Sequence, residues 1–120
     1  MSEVAEILER AIRVMRDEID YKKDIPAYWM EFFLAVASTG EKGGTVHDIT
    51  NKIGMQQAIA SRVVSILGEG VYIDTRDKVT KTGVGLFSTS YDDPHYRHRK
   101  TIRLAPKGKA LLQKLEDMLG

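Results

Sequence analysis

A single glycine places the strongest constraint on this chain. Gly54 falls between two short stretches, 45–53 and 55–67, whose apolar residues recur at three- and four-residue spacing. In the first, Val46, Ile49 and Ile53 share an inward face. Its opening, Thr45-Val46-His47-Asp48, has the form of a capping box with Asp in place of Glu. In the second, Ala60, Val63 and Leu67 share one face, and Gly68-Glu69-Gly70 ends the pattern. Two short helices joined by a tight glycine turn predict a helix-turn-helix over 45–68.

The remaining elements supply the core that such a pair needs. Val4, Ile7, Leu8, Ala11, Ile12, Met15 and Ile19 predict an amphipathic helix over 4–19. Pro26 suits the first turn of a second helix, and Trp29, Phe32, Phe33, Val36 and Ala37 give it a broad apolar face. That helix is the most apolar element and is expected at the centre. After Gly70 the period changes. Val71-Tyr72-Ile73 is β-prone, and 74–82 is polar and reads as a loop or an irregular hairpin. Residues 84–91 and 99–104 are strand candidates around a turn at Asp92-Asp93-Pro94, which makes a hairpin over 84–104. Pro106 opens a last amphipathic helix over 106–119, lined by Leu111, Leu112, Leu115, Met118 and Leu119. The expected fold is one mainly α domain over 1–120 with a small β-hairpin.

Composition removes several classes of function. The absence of cysteine excludes a disulfide scaffold, thiolate metal sites and a cysteine nucleophile. The longest apolar run, Phe32-Phe33-Leu34-Ala35-Val36-Ala37, falls far short of the ~20 residues of a membrane span. No secretory signal is visible at the N-terminus, so no membrane and a cytoplasmic address are expected. Net charge is +1, but it is unevenly spread. Six acids and three arginines lie between Ser2 and Asp20, whereas six bases and no acid lie between Tyr96 and Lys109. A locally basic hairpin is one footprint of nucleic-acid binding, and equally of an edge strand kept soluble by charge. His95 and His98 sit near Asp92 and Asp93, but the spacing matches no recognised metal site. No nucleophile–base order or phosphate-cradling loop stands out, so no catalysis, cofactor or metal is expected.

Taken in order, these blocks resemble the MarR-like winged-helix transcription regulators, and especially the short variants of phages and mobile elements. Gly54-Met55-Gln56-Gln57-Ala58-Ile59-Ala60-Ser61-Arg62-Val63-Val64 is similar to that family's turn glycine and recognition-helix start. Gly83-Val84-Gly85-Leu86-Phe87 resembles the opening of the phage-type wing, and Ile102-Arg103-Leu104-Ala105-Pro106-Lys107-Gly108 the junction into the last helix. Two departures stand out. The Asp-x-Arg pair that usually holds the wing tip is missing, with Tyr96-Arg97-His98 in its place. Ala105 also replaces the usual Thr cap. The resemblance implies a winged helix-turn-helix whose terminal helices, 4–19 and 106–119, pack across a two-fold axis into a homodimer.

The expected function is sequence-specific binding of duplex DNA at a palindromic operator, by a dimeric transcription regulator and repressor. Gln56, Gln57, Ala58, Ser61, Arg62 and Ser65 lie off the buried face of the second short helix. Gln pairs adenine N6 and N7, Arg pairs guanine O6 and N7, and a small residue lets the backbone approach. Arg97, Arg99, Lys100 and Arg103 of the wing are candidates for phosphate or minor-groove contact. Side chains alternate along a strand, so Arg97, Arg99 and Arg103 share a face and Lys100 does not. Relatives of this kind often bind small aromatic acids near the dimer interface, but no pocket signature for an effector stands out. The alternative is a winged-helix module that docks a protein without reading DNA.

Overall fold

The computed structural model describes residues 2–19, 25–74, 77–91 and 100–119. Along the chain these form α1 (Ser2–Ile19), α2 (Ala27–Ala37), a 3-10 turn (Gly40–Lys42), β1 (Gly44–Thr45), α3 (Val46–Ile53) and α4 (Gln57–Leu67). There follow β2 (Val71–Asp74), β3 (Val79–Thr82), β4 (Phe87–Ser90), β5 (Thr101–Leu104) and α5 (Pro106–Leu119). Two antiparallel sheets result. One has the order β1–β5–β4, with Thr45 opposite Thr101 and Phe87 opposite Leu104. The other is the pair β2–β3, with Val71 opposite Thr82 and Asp74 opposite Val79.

The core forms around α2, as its composition leads one to expect. Phe32 and Phe33 are fully buried, and both meet Phe87 of β4. Phe87 lies edge-on to Phe32 with centroids 5.7 Å apart, and stacks on Phe33 at 6.3 Å. Each fully buried phenyl group contributes ~1.5–3 kcal/mol. Val63 and Leu67 of α4, Ile102 of β5 and Leu111 of α5 complete the same cluster. One apolar body therefore fixes the helix-turn-helix, the three-stranded sheet and the last helix together.

The helix-turn-helix closes as its sequence directs. Thr45 caps α3 through a capping box, with its hydroxyl accepting from Asp48 N at 3.1 Å. Gly54 takes φ 69° and ψ 33°, a left-handed conformation that side chains disfavour. Met55 N then donates to Thr50 O at 3.1 Å, which completes a Schellman-type close. Gln56 has an extended conformation ahead of α4, so that helix starts at Gln57 rather than at Met55.

After α4 the structure departs from the expected element order. Residues 84–86 do not extend the wing strand, because their amides bond to the end of α4. Val84 N donates to Ile66 O at 2.9 Å and Leu86 N to Leu67 O at 2.7 Å. The stretch 71–82, expected as β-prone residues and a polar loop or irregular hairpin, instead forms a regularly paired hairpin. The chain thus carries two hairpins between α4 and α5. Of the wing expected over 84–104, the described strands are β4 and β5, and 92–99 lies outside the described residues. Among the described residues, no helix is long and apolar enough to cross a membrane.

Gly108 shows how tightly the last helix meets the wing. A Cβ there would lie 2.2 Å from Leu86 O and 3.2 Å from Leu104 Cδ2. Replacing a helical glycine by alanine ordinarily gains ~0.5–1 kcal/mol. Here the clash is with backbone, and overpacking costs ~1–3 kcal/mol. Gly108→Ala is therefore expected to lower the urea midpoint of unfolding, and a raised midpoint would show that α5 and Leu86 are not this close.

Candidate nucleic-acid interface

Helix α4 divides cleanly into two faces. Ala60, Val63, Ile66 and Leu67 are buried, which leaves the other side of the helix to solvent. Gln56, Gln57, Ala58, Ser61, Arg62 and Ser65 are all exposed there. Arg62 is the sole ionisable residue of α4. Ser65 donates its hydroxyl to Ser61 O at 3.1 Å, so its oxygen remains available as an acceptor. Gln56 forms no side-chain cap hydrogen bond at the start of the helix. The six residues singled out from sequence on this helix therefore share one open polar surface.

The wing residues separate in their placement. Arg103 on β5 is half-buried and braces its surroundings. Its Nε donates to Glu41 O at 3.1 Å and its Nη1 to Ser90 Oγ at 2.8 Å. It therefore ties β4 and β5 to the turn ahead of β1. Lys100 is exposed, with its ammonium 6.0 Å from the Tyr91 ring centroid. Arg97 and Arg99 lie outside the described residues, as do His95 and His98.

A second structure flanks α4. Arg62, Ser65 and Ile66 form one wall of a groove of about 640 Å³, and Val71, Ile73 and Thr80 of the β2–β3 hairpin contribute to the other. The hairpin is braced internally. Asp74 is buried, and Lys81 Nζ lies 2.7 Å from its carboxylate and 3.3 Å from that of Asp77. The hydrogen bond that Lys81 donates to Asp74 holds its ammonium above the ordinary lysine pKa. Lys78 N donates to Asp74 O at 2.8 Å across the turn, and Asp77 Oδ1 accepts from Val79 N at 3.2 Å. The sequence offers this stretch as β-prone residues followed by a loop or an irregular hairpin and places none of it at the site, although the alternating Val71, Ile73, Thr80 and Thr82 were a usable signal.

On another face, α1, α2 and α5 enclose an open apolar groove of about 840 Å³. Leu8, Ile12, Tyr28, Leu34 and Leu119 border it and are each more than two-fifths exposed. Lys114 of α5 and Glu18 of α1 pair at 3.1 Å, which holds the two terminal helices side by side.

No family model and no curated protein matches the chain. Solved structures do match. BpsR of Bordetella bronchiseptica, whose DNA binding is regulated by 6-hydroxynicotinic acid, superposes over 97% of this chain and 74% of its own, with TM-score 0.54 and 17% identity. A probable transcriptional regulator from Pseudomonas aeruginosa gives TM-score 0.53 at 20% identity, covering 96% of this chain and 75% of its own. PcaV, a transcriptional regulator from Streptomyces coelicolor solved with its natural ligand, gives 0.52 at 19%, covering 97% and 70%.

The chain has the MarR-type winged-helix fold. Helices α3 and α4, joined at Gly54, form its helix-turn-helix, and β4 and β5 are the strands expected to carry the wing. The three matches are bacterial proteins and lend no support to a phage or mobile-element type. Within the winged helix, Arg103 is a structural brace as it stands. Hydrogen bonds from a charged group are worth ~1.5–3 kcal/mol, and surface substitutions usually stay within ~0.5 kcal/mol. Arg103→Ala is expected to cost ~1–3 kcal/mol in urea unfolding; a loss below ~0.5 kcal/mol would mean that the brace carries no weight.

Proposed function

We propose that this chain is a sequence-specific duplex DNA-binding transcription regulator that acts as a dimer. The observation that carries the reading is the exposed face of α4. It offers two glutamines, Arg62, two serines and a small Ala58 on the outer side of a helix-turn-helix. These are hydrogen-bonding groups able to read base edges in a major groove, held on a helix whose other face is locked into the core. The uncapped start of α4 adds amides suited to phosphate contact. Arg97, Arg99 and Lys100 supply phosphate or minor-groove contact from the wing, and Arg103 supports them from β5. The similarity in fold to BpsR, a protein with regulated DNA binding, supports the same reading.

The dimer is assembled through the groove of α1, α2 and α5. An apolar face of this extent in a 13.5 kDa chain costs free energy while it stays wet. A second copy seated by a two-fold axis covers it and presents two α4 helices to the duplex. Paired readers match a palindromic operator. A dimer that covers an operator overlapping a promoter acts as a repressor, the mode of action inferred for this chain.

Gln57→Ala and Arg62→Ala test the base-reading role. Each is expected to remove ~1–3 kcal/mol of discrimination between a selected operator and random duplex, since that is the worth of one base-edge pairing. Competition binding at fixed salt measures it. If both variants keep the full ratio, α4 is not the reading helix.

A further inference from the structure

The β2–β3 hairpin is a self-contained excursion from the winged-helix frame. Gly83 N donates to Gly70 O at 2.8 Å, so the chain leaves and returns at one hydrogen-bonded pair. Gly85 N donates to Gly68 O at 2.9 Å just below it, which anchors the base to the end of α4. Of the hairpin, Tyr72 packs against the core of the frame, while Val71, Ile73, Val79 and Thr80 stand exposed. An isolated two-stranded hairpin is marginally stable in water, yet this one has a buried Asp74 paired with Lys81 and a braced turn. Its principal neighbour is α4.

The placement of the hairpin is what gives it meaning. Arg62 and Ser65 belong to the exposed, base-reading face of α4, and they share a groove with Val71, Ile73 and Thr80. The hairpin therefore flanks that face instead of packing on the far side of the domain. Its strand register puts Val71, Ile73, Thr80 and Thr82 on one surface, because directly opposed residues share a face. All four are exposed, with Val71 at 70% and Ile73 at 68%. Lys78 stands exposed at the turn with φ 57°, and Lys81 pairs with the two carboxylates beside it. A strand of duplex backbone entering the groove would meet the Arg62 guanidinium and the Ser65 and Thr80 hydroxyls for its phosphates and Val71 and Ile73 for its sugars, and Thr82, on the same strand face, and Lys78, at the turn, stand exposed beyond it. Lysine and threonine are ordinary phosphate ligands.

We propose that β2–β3 is a second wing, which lays Lys78, Thr80 and Thr82 against the DNA backbone beside the groove read by α4. The proposal rests on the DNA-binding reading above and adds a further point of attachment to it. Backbone contacts add affinity and fix the register of α4 without reading sequence. The second wing thus lengthens the footprint and steepens the dependence on salt, while leaving base preference to Gln57 and Arg62.

The test compares the full chain with two variants on random-sequence duplex and on a selected operator. In one variant residues 71–82 are replaced by Asn-Gly. This keeps Gly70 and Gly83 as the first and fourth residues of a two-residue hairpin turn, whose closing bond is already present. The other is Lys78→Asn, which removes the charge and tolerates the left-handed backbone. Hydroxyl-radical footprinting and the slope of log affinity against log salt are the readouts. Both variants are expected to give a slope shallower by ~0.9 for each phosphate that is no longer neutralised. The excised variant is also expected to lose backbone protection beside the α4 site while keeping its ratio of operator to random affinity. If excision disturbs folding, as circular dichroism would show, the slope of Lys78→Asn decides alone. Unchanged slopes and protection overturn the second wing and leave the hairpin as a protein-docking surface. Tighter binding after excision also overturns it, since the hairpin would then shield α4. Failure of the full chain to bind any duplex overturns the DNA-binding reading itself, and the second wing with it.

Discussion

Leu86 is the point on which the arrangement turns. Its amide donates to Leu67 O at 2.7 Å, at the end of α4, and its carbonyl accepts from Ala105 N at 2.9 Å, at the start of α5. Its side chain is fully buried, and the next residue, Phe87, locks into Phe32 and Phe33 of α2. Buried backbone groups must find partners, so these bonds are costly to break. One residue thereby sets where α4 ends, where β4 begins and where α5 departs. Gly108 is required because α5 passes so close to the Leu86 carbonyl.

That junction explains a division of labour in the proposed DNA complex. Helix α4 has a single ionisable residue, and the chain's net charge is only +1. Affinity for duplex comes largely from neutralised phosphates, and α4 alone supplies few of them. On the proposed reading the projecting hairpins add positive charge, and their roots are bonded to the end of α4 at Gly68 and Leu67. A rigid root lets electrostatic contacts on the hairpins place α4 accurately against base edges. The Arg103 brace serves the same end, stiffening β4 and β5 against the turn at Glu41.

Much of this was legible in the sequence, for physical reasons. The helix-turn-helix announced itself because Gly54, the Thr45–Asp48 box and a three-to-four spacing are local signals that tertiary packing did not override. The outward placement of Gln56, Gln57, Ala58, Ser61, Arg62 and Ser65 followed from the burial of Ala60, Val63 and Leu67 alone. The β2–β3 hairpin was harder to read, because its polar turn and the pairing of Asp74 with Lys81 look like loop composition until the cross-strand partners are known. The hydrogen bonds of Arg103 were also hidden. Its strand parity suggested an outward row of arginines, whereas its guanidinium reaches Glu41 O, a group distant in sequence. Long-range hydrogen bonds of that kind leave no periodic trace.

On the proposed reading, two copies of this fold read a duplex through paired α4 helices. Selection of bound fragments from random duplex DNA tests it most directly. A palindromic consensus is expected, with half-sites separated by one helical turn of ~34–36 Å or a multiple of it. A consensus without two-fold symmetry would contradict the dimer, and no enrichment over random duplex would contradict sequence reading by α4.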